Sequence, residues 1–348
     1  MKSSEVIGWF ADLGLADRAA VGGKGGSLGE LTRAGLTVPP GFVVKTAAFE
    51  RFLESLERAA PLRAEVAVLA ADDLPAITQV SQRIRARIEA AELPAALTED
   101  ITQSYVALVG TAAGPVAVRS SATLEDAADA SFAGLQDTYL WLLDAAQMLA
   151  RVRSCWASLY SVESIAYRRR LGFAEAQVAM AVVVQRMVDA RSAGVMFTRS
   201  PTTGDKSVIT IEGAWGLGSA VVSGEVTPDR WVVGKITGEI TVRDISNKHV
   251  LDRPRAGGGV EQVEVEAAQR EVAALSDTEL LGLRDLARKI ERHYGGAQDI
   301  EWAVDRAGVI YLLQSRPETV WSSKDAAPAA RVAENPLLHV MSIFGGRR

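Results

Sequence analysis

The sequence predicts an α/β or α+β protein with mixed sheets, and three observations carry that expectation. Helix-period apolar patterns run across 76–91, 97–109 and 144–171. Val178 to Val184 is a run of seven apolar residues, rich in β-branched side chains, that reads as a central strand. From residue 185 onward short alternating runs are separated by Gly, Pro, Asp and Asn. At 348 residues, and with about 150 residues per domain as a prior, two subdomains are expected: 1–184 with a glycine loop, and 185–321 with a hairpin. Residues 322–348 form a linker and tail.

Taken in order, Gly22 to Gly26 form a glycine cluster around Lys24, read as a flexible loop. Ser27 to Ala34 then carry Leu28 and Leu31 at helical spacing, with Gly35 placed to end the helix in a left-handed conformation. Pro39 and Pro40 introduce the apolar run Gly41 to Val44, and Thr46 is expected to cap the helix bearing Phe49, Phe52, Leu53 and Leu56. Val116 and Val118 begin a buried strand that runs into a polar turn at Arg119-Ser120-Ser121. Strands are expected at Gly194–Thr198, Ser207–Glu212, Arg230–Val233 and Glu239–Val242, and helices at 264–275 and 277–293. A hairpin at Asp299–Val304 and Val309–Gln314 closes the series. No internal repeat is visible.

Composition narrows the function. Thirty-eight basic against 43 acidic residues give a net charge of −5, so bulk electrostatics favour neither nucleic acid nor an anionic membrane as partner. No stretch approaches the ~20 apolar residues needed to span a bilayer. The single Cys155 cannot form an intrachain disulfide, which fits a reducing cytoplasm.

Any phosphate site must therefore be local, and Lys24 stands in one candidate for it. The cluster is not a P-loop: Gly25 stands where Ser or Thr must follow the Lys, and Arg18 stands where the first Gly belongs. Gly213 to Gly218 likewise fails as a dinucleotide fingerprint, because Val221 fills the third glycine position. What remains is a glycine-rich segment with one ammonium before a helix, suited to phosphates but equally compatible with an ordinary loop. Arg119 with Ser120 and Ser121 could bind phosphate oxygens, or Arg119 could pair with Glu125 or Asp126. In the hairpin, antiparallel pairing brings Glu301 towards Leu312 to Gln314. Alternation puts Asp299 with Glu301, and Gln314 with Arg316, on shared faces. Glu301 and Gln314 are hard oxygen donors of the kind Mg²⁺ takes together with phosphates. A surface salt bridge across the hairpin is the alternative.

Together these residues resemble the nucleotide-binding region of the phosphoenolpyruvate synthase, pyruvate phosphate dikinase and rifampicin phosphotransferase family. The matching segments are GGKGGSLGEL with PPGFVV, VAVRSSATLEDAADASFAGLQDTYL, GVMFTRSP, IEGAWGLGSAVVSGEVTPDRWVV and QDIEWAVDRAGVIYLLQSRP, spanning roughly residues 8–321. The resemblance implies an ATP-grasp fold whose two subdomains close on Mg-ATP. It implies that Gly23, Lys24 and Gly25, with Arg119 and Ser120, meet the phosphates. Glu301 and Gln314 would hold Mg²⁺, and Arg316 would contact the phosphoryl group in transfer. Gln185 to Met187 would receive adenine, and Gly134, Gln136 and Thr138 match a further ATP-contacting motif. Leu135 departs from the polar residue usual there.

Family members split ATP to AMP and place the β-phosphate on a histidine of a swivelling domain. His249, His293 and His339 lie outside that histidine's sequence context. The resemblance therefore implies a histidine-bearing phosphocarrier partner and a small-molecule acceptor. The tail, with its apolar piece Pro336–Phe344, is expected to be a native ending that docks on that partner. As a stand-alone chain the arrangement is similar to the ATP-binding subunit of phenylphosphate synthase, which serves phenol. A phosphoenolpyruvate synthase or rifampicin phosphotransferase fragment, an ADP-forming ATP-grasp ligase and a non-catalytic nucleotide-sensing subunit are the other readings.

Overall fold

A computed structural model describes residues 3–58, 60–110, 114–123, 126–127, 130–131, 137–319 and 321. The chain opens with β1 (Ile7–Trp9) and α1 (Arg18–Arg33), a helix kinked at Gly22. The diproline delivers it into β2 (Gly41–Val44), and α2 (Thr46–Glu57), α3 (Leu62–Ala67), α4 (Leu74–Ala90) and α5 (Ala95–Val109) follow. Next come β3 (Val116–Ala122), the short strands β4 (Asp126–Ala127) and β5 (Ala130–Ser131), and β6 (Thr138–Leu142). α6 (Ala145–Ser158) starts where Asp144 accepts a hydrogen bond from the Gln147 amide. α7 (Val162–Leu171) starts at the Ser161 cap and ends at left-handed Gly172, before β7 (Met180–Arg186).

The second part contains β8 (Ala190–Phe197), β9 (Val208–Trp215), the single turn α8 (Ser219–Val222), β10 (Asp229–Gly234) and β11 (Ile240–Asp244). It continues with β12 (Val250–Pro254), β13 (Val260–Glu264), α9 (Asp277–Tyr294), β14 (Gln298–Asp305) and β15 (Ile310–Pro317). α9 begins at a capping box formed by Ser276 and Glu279.

Two sheets organise the molecule. One has the order β1-β2-β7-β3-β6 and the other β11-β10-β9-β8-β14-β15, and every neighbouring pair in both is antiparallel. The expectation of mixed sheets is thus corrected. In the first sheet β2 and β3 run the same way and are joined through helices, as are β6 and β7. The two crossover units interleave, so each strand is flanked by strands of opposite direction. In the second sheet most neighbours are consecutive strands, and the short links of β8 to β9, β10 to β11 and β14 to β15 allow only antiparallel pairing.

Three local expectations also change. The glycine segment is not a loop before a helix at Ser27: α1 starts at Arg18 and carries Lys24, Gly25 and Gly26 as helical residues around the break at Gly22. Thr46 does not cap α2. The N-cap is Lys45, and the Thr46 hydroxyl reaches the Ala19 carbonyl at 3.4 Å. No helix forms across 264–275, where β13 ends and one 3-10 turn, Ala267–Gln269, follows. There tertiary bonds outweigh local helical pattern: Val265 N donates to His249 O, Lys248 N to Arg270 O, and Ala274 N to the buried Asp229 carboxylate.

Strand alternation gives each sheet its faces. On the first sheet Phe42, Val44, Val116, Val118, Val182 and Val184 pack against the helical layer, where Phe52 stacks on Trp156 at 5.1 Å. The opposite face places Val43, Ala181 and Val183 against Val21 and Leu28 of α1. One turn on, Leu31 of α1 joins the second core with Met196, Ile211, Trp231, Ile300 and Trp302. At about 1.5–3 kcal/mol per fully buried large aliphatic side chain, Leu28 and Leu31 tie α1 to both sheets. Among the described residues no helix is long and apolar enough to cross a membrane.

Candidate active site

β3 presents Ala117, Arg119 and Ser121 on the face towards α1, while Val116, Val118 and Ala122 face the helical layer. β14 and β15 present Glu301 and Gln314 as direct register partners, with a bulge immediately after Glu301. The two sheets meet at these side chains. Arg119 donates from Nη2 to Glu301 Oε2 at 2.9 Å and to Gln314 Oε1 at 2.7 Å, and from Nη1 to the Leu313 carbonyl at 3.1 Å. Its Nε is buried and has no hydrogen-bond partner among the described residues. A buried guanidinium whose Nε–H is unmatched suits an anionic oxygen.

Beside Arg119 lies a cavity of about 460 Å³ between the sheets. Ala117, Thr138 and Leu140 line it from the first sheet, and Gly194, Trp302 and Ala303 from the second. The end of β7 supplies the back wall. Gln185 is buried and donates to the Pro39 carbonyl at 3.1 Å, and the Met187 amide donates to the Pro115 carbonyl at 2.9 Å. Val260, next to the tip of the β12–β13 hairpin, forms another wall. That tip is joined to β6 where Gly259 N donates to the carbonyl of Trp141, a residue held at φ 60°.

Two residues beyond Gln314 on β15, Arg316 is largely exposed, its Nε 3.4 Å from Asp299 Oδ2, and it is not among the described residues lining the cavity. Burial pushes the Asp299 carboxyl up to about 6, Arg316 pulls it back and Glu318 adds to the rise. Asp299 Oδ1 has no hydrogen-bond partner among the described residues. Glu301 and Gln314 converge on one cation, the Arg119 guanidinium, so the donor set fits a small hard cation held by two protein oxygens.

Of the residues singled out from sequence, Arg119, Thr138, Gln185, Met187 and Glu301 line the cavity, and Gln314 reaches Arg119 at its edge. Lys24, with Gly23 and Gly25, is carried on α1, which touches both β3 and β15; Lys24 is buried and is not among the described residues lining the cavity. Ser120 is not brought to the cleft: alternation turns it to the other face, fully buried, with its hydroxyl 3.3 Å from the Asp137 carbonyl. Gly134 and Gln136 lie outside the described residues. Sequence reasoning placed Ser120 and Ser121 together beside Arg119 without separating them, although the period of two that faces Arg119 towards α1 selects Ser121 alone. It passed over the β12–β13 hairpin, whose signal is the turn Gly257-Gly258-Gly259.

A family model described as pyruvate phosphate dikinase, AMP/ATP-binding domain, matches residues 18–335. A probable phosphoenolpyruvate synthase of Methanothermobacter thermautotrophicus is 43% identical over 321 residues, covering 91% of this chain and 46% of that protein. The phosphoenolpyruvate synthase of Pyrococcus furiosus is 37% identical over 372 residues, covering 94% and 45%. A similarly named protein of Methanocaldococcus jannaschii is 42% identical, covering 91% and 27%. The chain thus spans less than half the length of these relatives. A solved structure of D-cycloserine synthetase DcsG aligns with a TM-score of 0.28 at 11% identity over 83% of this chain and 60% of that one, a likeness too weak to bear on the fold.

Proposed function

The chain belongs to the family of pyruvate phosphate dikinase AMP/ATP-binding domains, and from that premise we propose that it is the ATP-binding part of a dikinase-type phosphotransferase. It takes Mg-ATP in an ATP-grasp cleft between the subdomains 1–184 and 185–321, yields AMP and hands the β-phosphate to a histidine on a separate phosphocarrier unit. The observation that carries this reading is the meeting of Arg119, Glu301 and Gln314 at one end of a cavity whose back wall is Gln185 to Val188.

In this reading adenine lies against Gln185 and Met187, and the phosphates extend towards Arg119 and Lys24. Glu301 and Gln314 would hold Mg²⁺, which supplies charge neutralisation on the phosphate oxygens. Arg119 exchanges its contacts with Glu301 and Gln314 for phosphate oxygens, and its Nε–H, without a partner among the described residues, adds a donor for a charge-assisted bond. Arg316, exposed two residues beyond Gln314 on β15, meets the phosphoryl group as it leaves for the incoming histidine, where stabilising developing charge is the main work of the site. Thr138 and the glycines around Lys24 complete the phosphate surround. The names of the relatives favour phosphoenolpyruvate synthesis as the whole reaction, with phenol or an antibiotic as acceptors in related arrangements.

The test is ³¹P NMR of Mg-ATP incubated with the chain and a histidine-bearing unit of the same family, followed by mapping of acid-labile phosphate. AMP together with phosphohistidine is the expected result. ADP with an acyl product would make the protein a ligase, and intact ATP despite binding would make it a sensing subunit; either overturns the proposal.

A further inference from the structure

α1 is broken at one point, and a side chain from another element fills the break. In an unbroken helix the Gly25 amide would donate to the Val21 carbonyl four residues earlier. Here Gly22 takes φ 69° and ψ 177°, and the two groups are joined through Ser121 instead. The Ser121 hydroxyl donates to Val21 O at 2.8 Å and accepts from Gly25 N at 3.2 Å. A hydroxyl inserted into the backbone ladder is an identifiable cause of a sharp kink. The fit is close: Ser121 is fully buried, and a Cβ on Gly22 would lie 2.2 Å from the Ser121 carbonyl oxygen.

Lys24 lies inside the bridged turn, between Gly22 and Gly25. Ser121 stands two residues from Arg119 on the same face of β3, so one strand sets the place of both cationic groups. We propose that Ser121 is a positioning residue whose hydroxyl fixes the turn of Lys24 relative to Arg119 for the phosphates of ATP, an inference that rests on the ATP-binding reading above. Its proton and an acceptor lone pair are both committed to α1, so it acts through Lys24 and not by touching the nucleotide.

The experiment uses the full chain as wild type, Ser121→Ala and Ser121→Thr, each also in a Lys24→Ala background. Mg-ATP affinity is measured by calorimetry, and hydrogen exchange across residues 19–27 is measured without nucleotide. Ser121→Ala is expected to weaken Mg-ATP binding and speed exchange in the turn, each by about tenfold, the ratio that corresponds to one net hydrogen bond. Ser121→Thr, which keeps the hydroxyl, should restore both. In the Lys24→Ala background the loss of affinity on Ser121→Ala should shrink to less than about twofold, because residues acting as one unit are non-additive. An equal loss in both backgrounds, or no loss in either, overturns the proposal. Failure of the wild-type chain to bind Mg-ATP would instead sink the nucleotide reading, and the exchange comparison would then decide alone whether Ser121 holds the turn.

Discussion

Arg119 and Glu301 stand 182 positions apart in the chain and in different sheets, yet their side chains meet at 2.9 Å as an ion pair that is mostly shielded from water. The same Nη2 also holds Gln314, so the one guanidinium joins the sheets and occupies both oxygen donors.

Replacing Arg119 by Met removes that joint and leaves the Glu301 carboxylate without its partner. Unpairing a shielded charge costs about 3 kcal/mol where burial is deep, and the partial exposure of Glu301 reduces this to about 1–2 kcal/mol. The variant should melt a few degrees lower and lose Mg-ATP affinity at least ~10-fold. Calorimetric titration beside a thermal melt checks both, and unchanged affinity would remove Arg119 from the site.

Arg316 predicts the opposite balance. Its side chain is largely exposed and its ion pair with Asp299 is long, so Arg316→Ala should change stability by no more than ~0.5 kcal/mol. Formation of AMP with the histidine-bearing unit present should fall about 10³-fold, while ATP binding changes little. An AMP assay at saturating ATP separates these effects; near-normal turnover would exclude the role given to Arg316.

Asp299 gives the fold a pH dependence. Its carboxyl is raised from 3.8 to about 6, first by burial, so the folded state binds this proton more tightly than the unfolded chain. The stabilisation is therefore complete below pH ~4 and is lost as pH rises through about 6, a change on the order of 2–3 kcal/mol for this group. Asp299→Asn should flatten the difference in urea midpoint between pH 4.5 and pH 7. An unaltered difference would assign it to other groups.

Gly22 and Gly35 share φ 69° but differ in their surroundings. A Cβ at Gly35 meets nothing within 4 Å, whereas one at Gly22 strikes Ser121 at 2.2 Å. Gly35→Ala should cost about 1–2 kcal/mol from the backbone alone, and Gly22→Ala at least ~2 kcal/mol more from overlap in a packed site. Chemical denaturation of the two variants side by side tests this, and equal losses would mean that the turn at Gly22 yields.

How much of this was legible in the sequence depends on how local the cause was. The strand at Gly41–Val44 follows from a diproline and an apolar run, and the pairing of Glu301 with Gln314 follows from a tight hairpin turn. Both causes lie within a few residues. Ser120 and Ser121 could not be sorted so simply, because which face of β3 looks towards the cleft is set by α1 packing on that same face. The absent helix at 264–275 has a similar origin: the buried Asp229, 45 positions from Ala274, draws that amide away from any helical partner. The kink in α1 is a tertiary effect as well, since its hydroxyl comes from 100 residues downstream.

The wedging of α1 between the two cores carries a consequence for how the chain is made. Leu28 finds its neighbours on β2 and β7, but Leu31 packs among side chains from β8 to β15, and the Ser27 hydroxyl bonds the Ser315 carbonyl 288 positions later. A nascent chain emerging from the ribosome therefore holds one flank of this helix bare until β8 to β15 have been synthesised. Contacts of such long sequence separation slow the final step of folding, so the turn around Lys24 reaches its final packing only after β15 has been made.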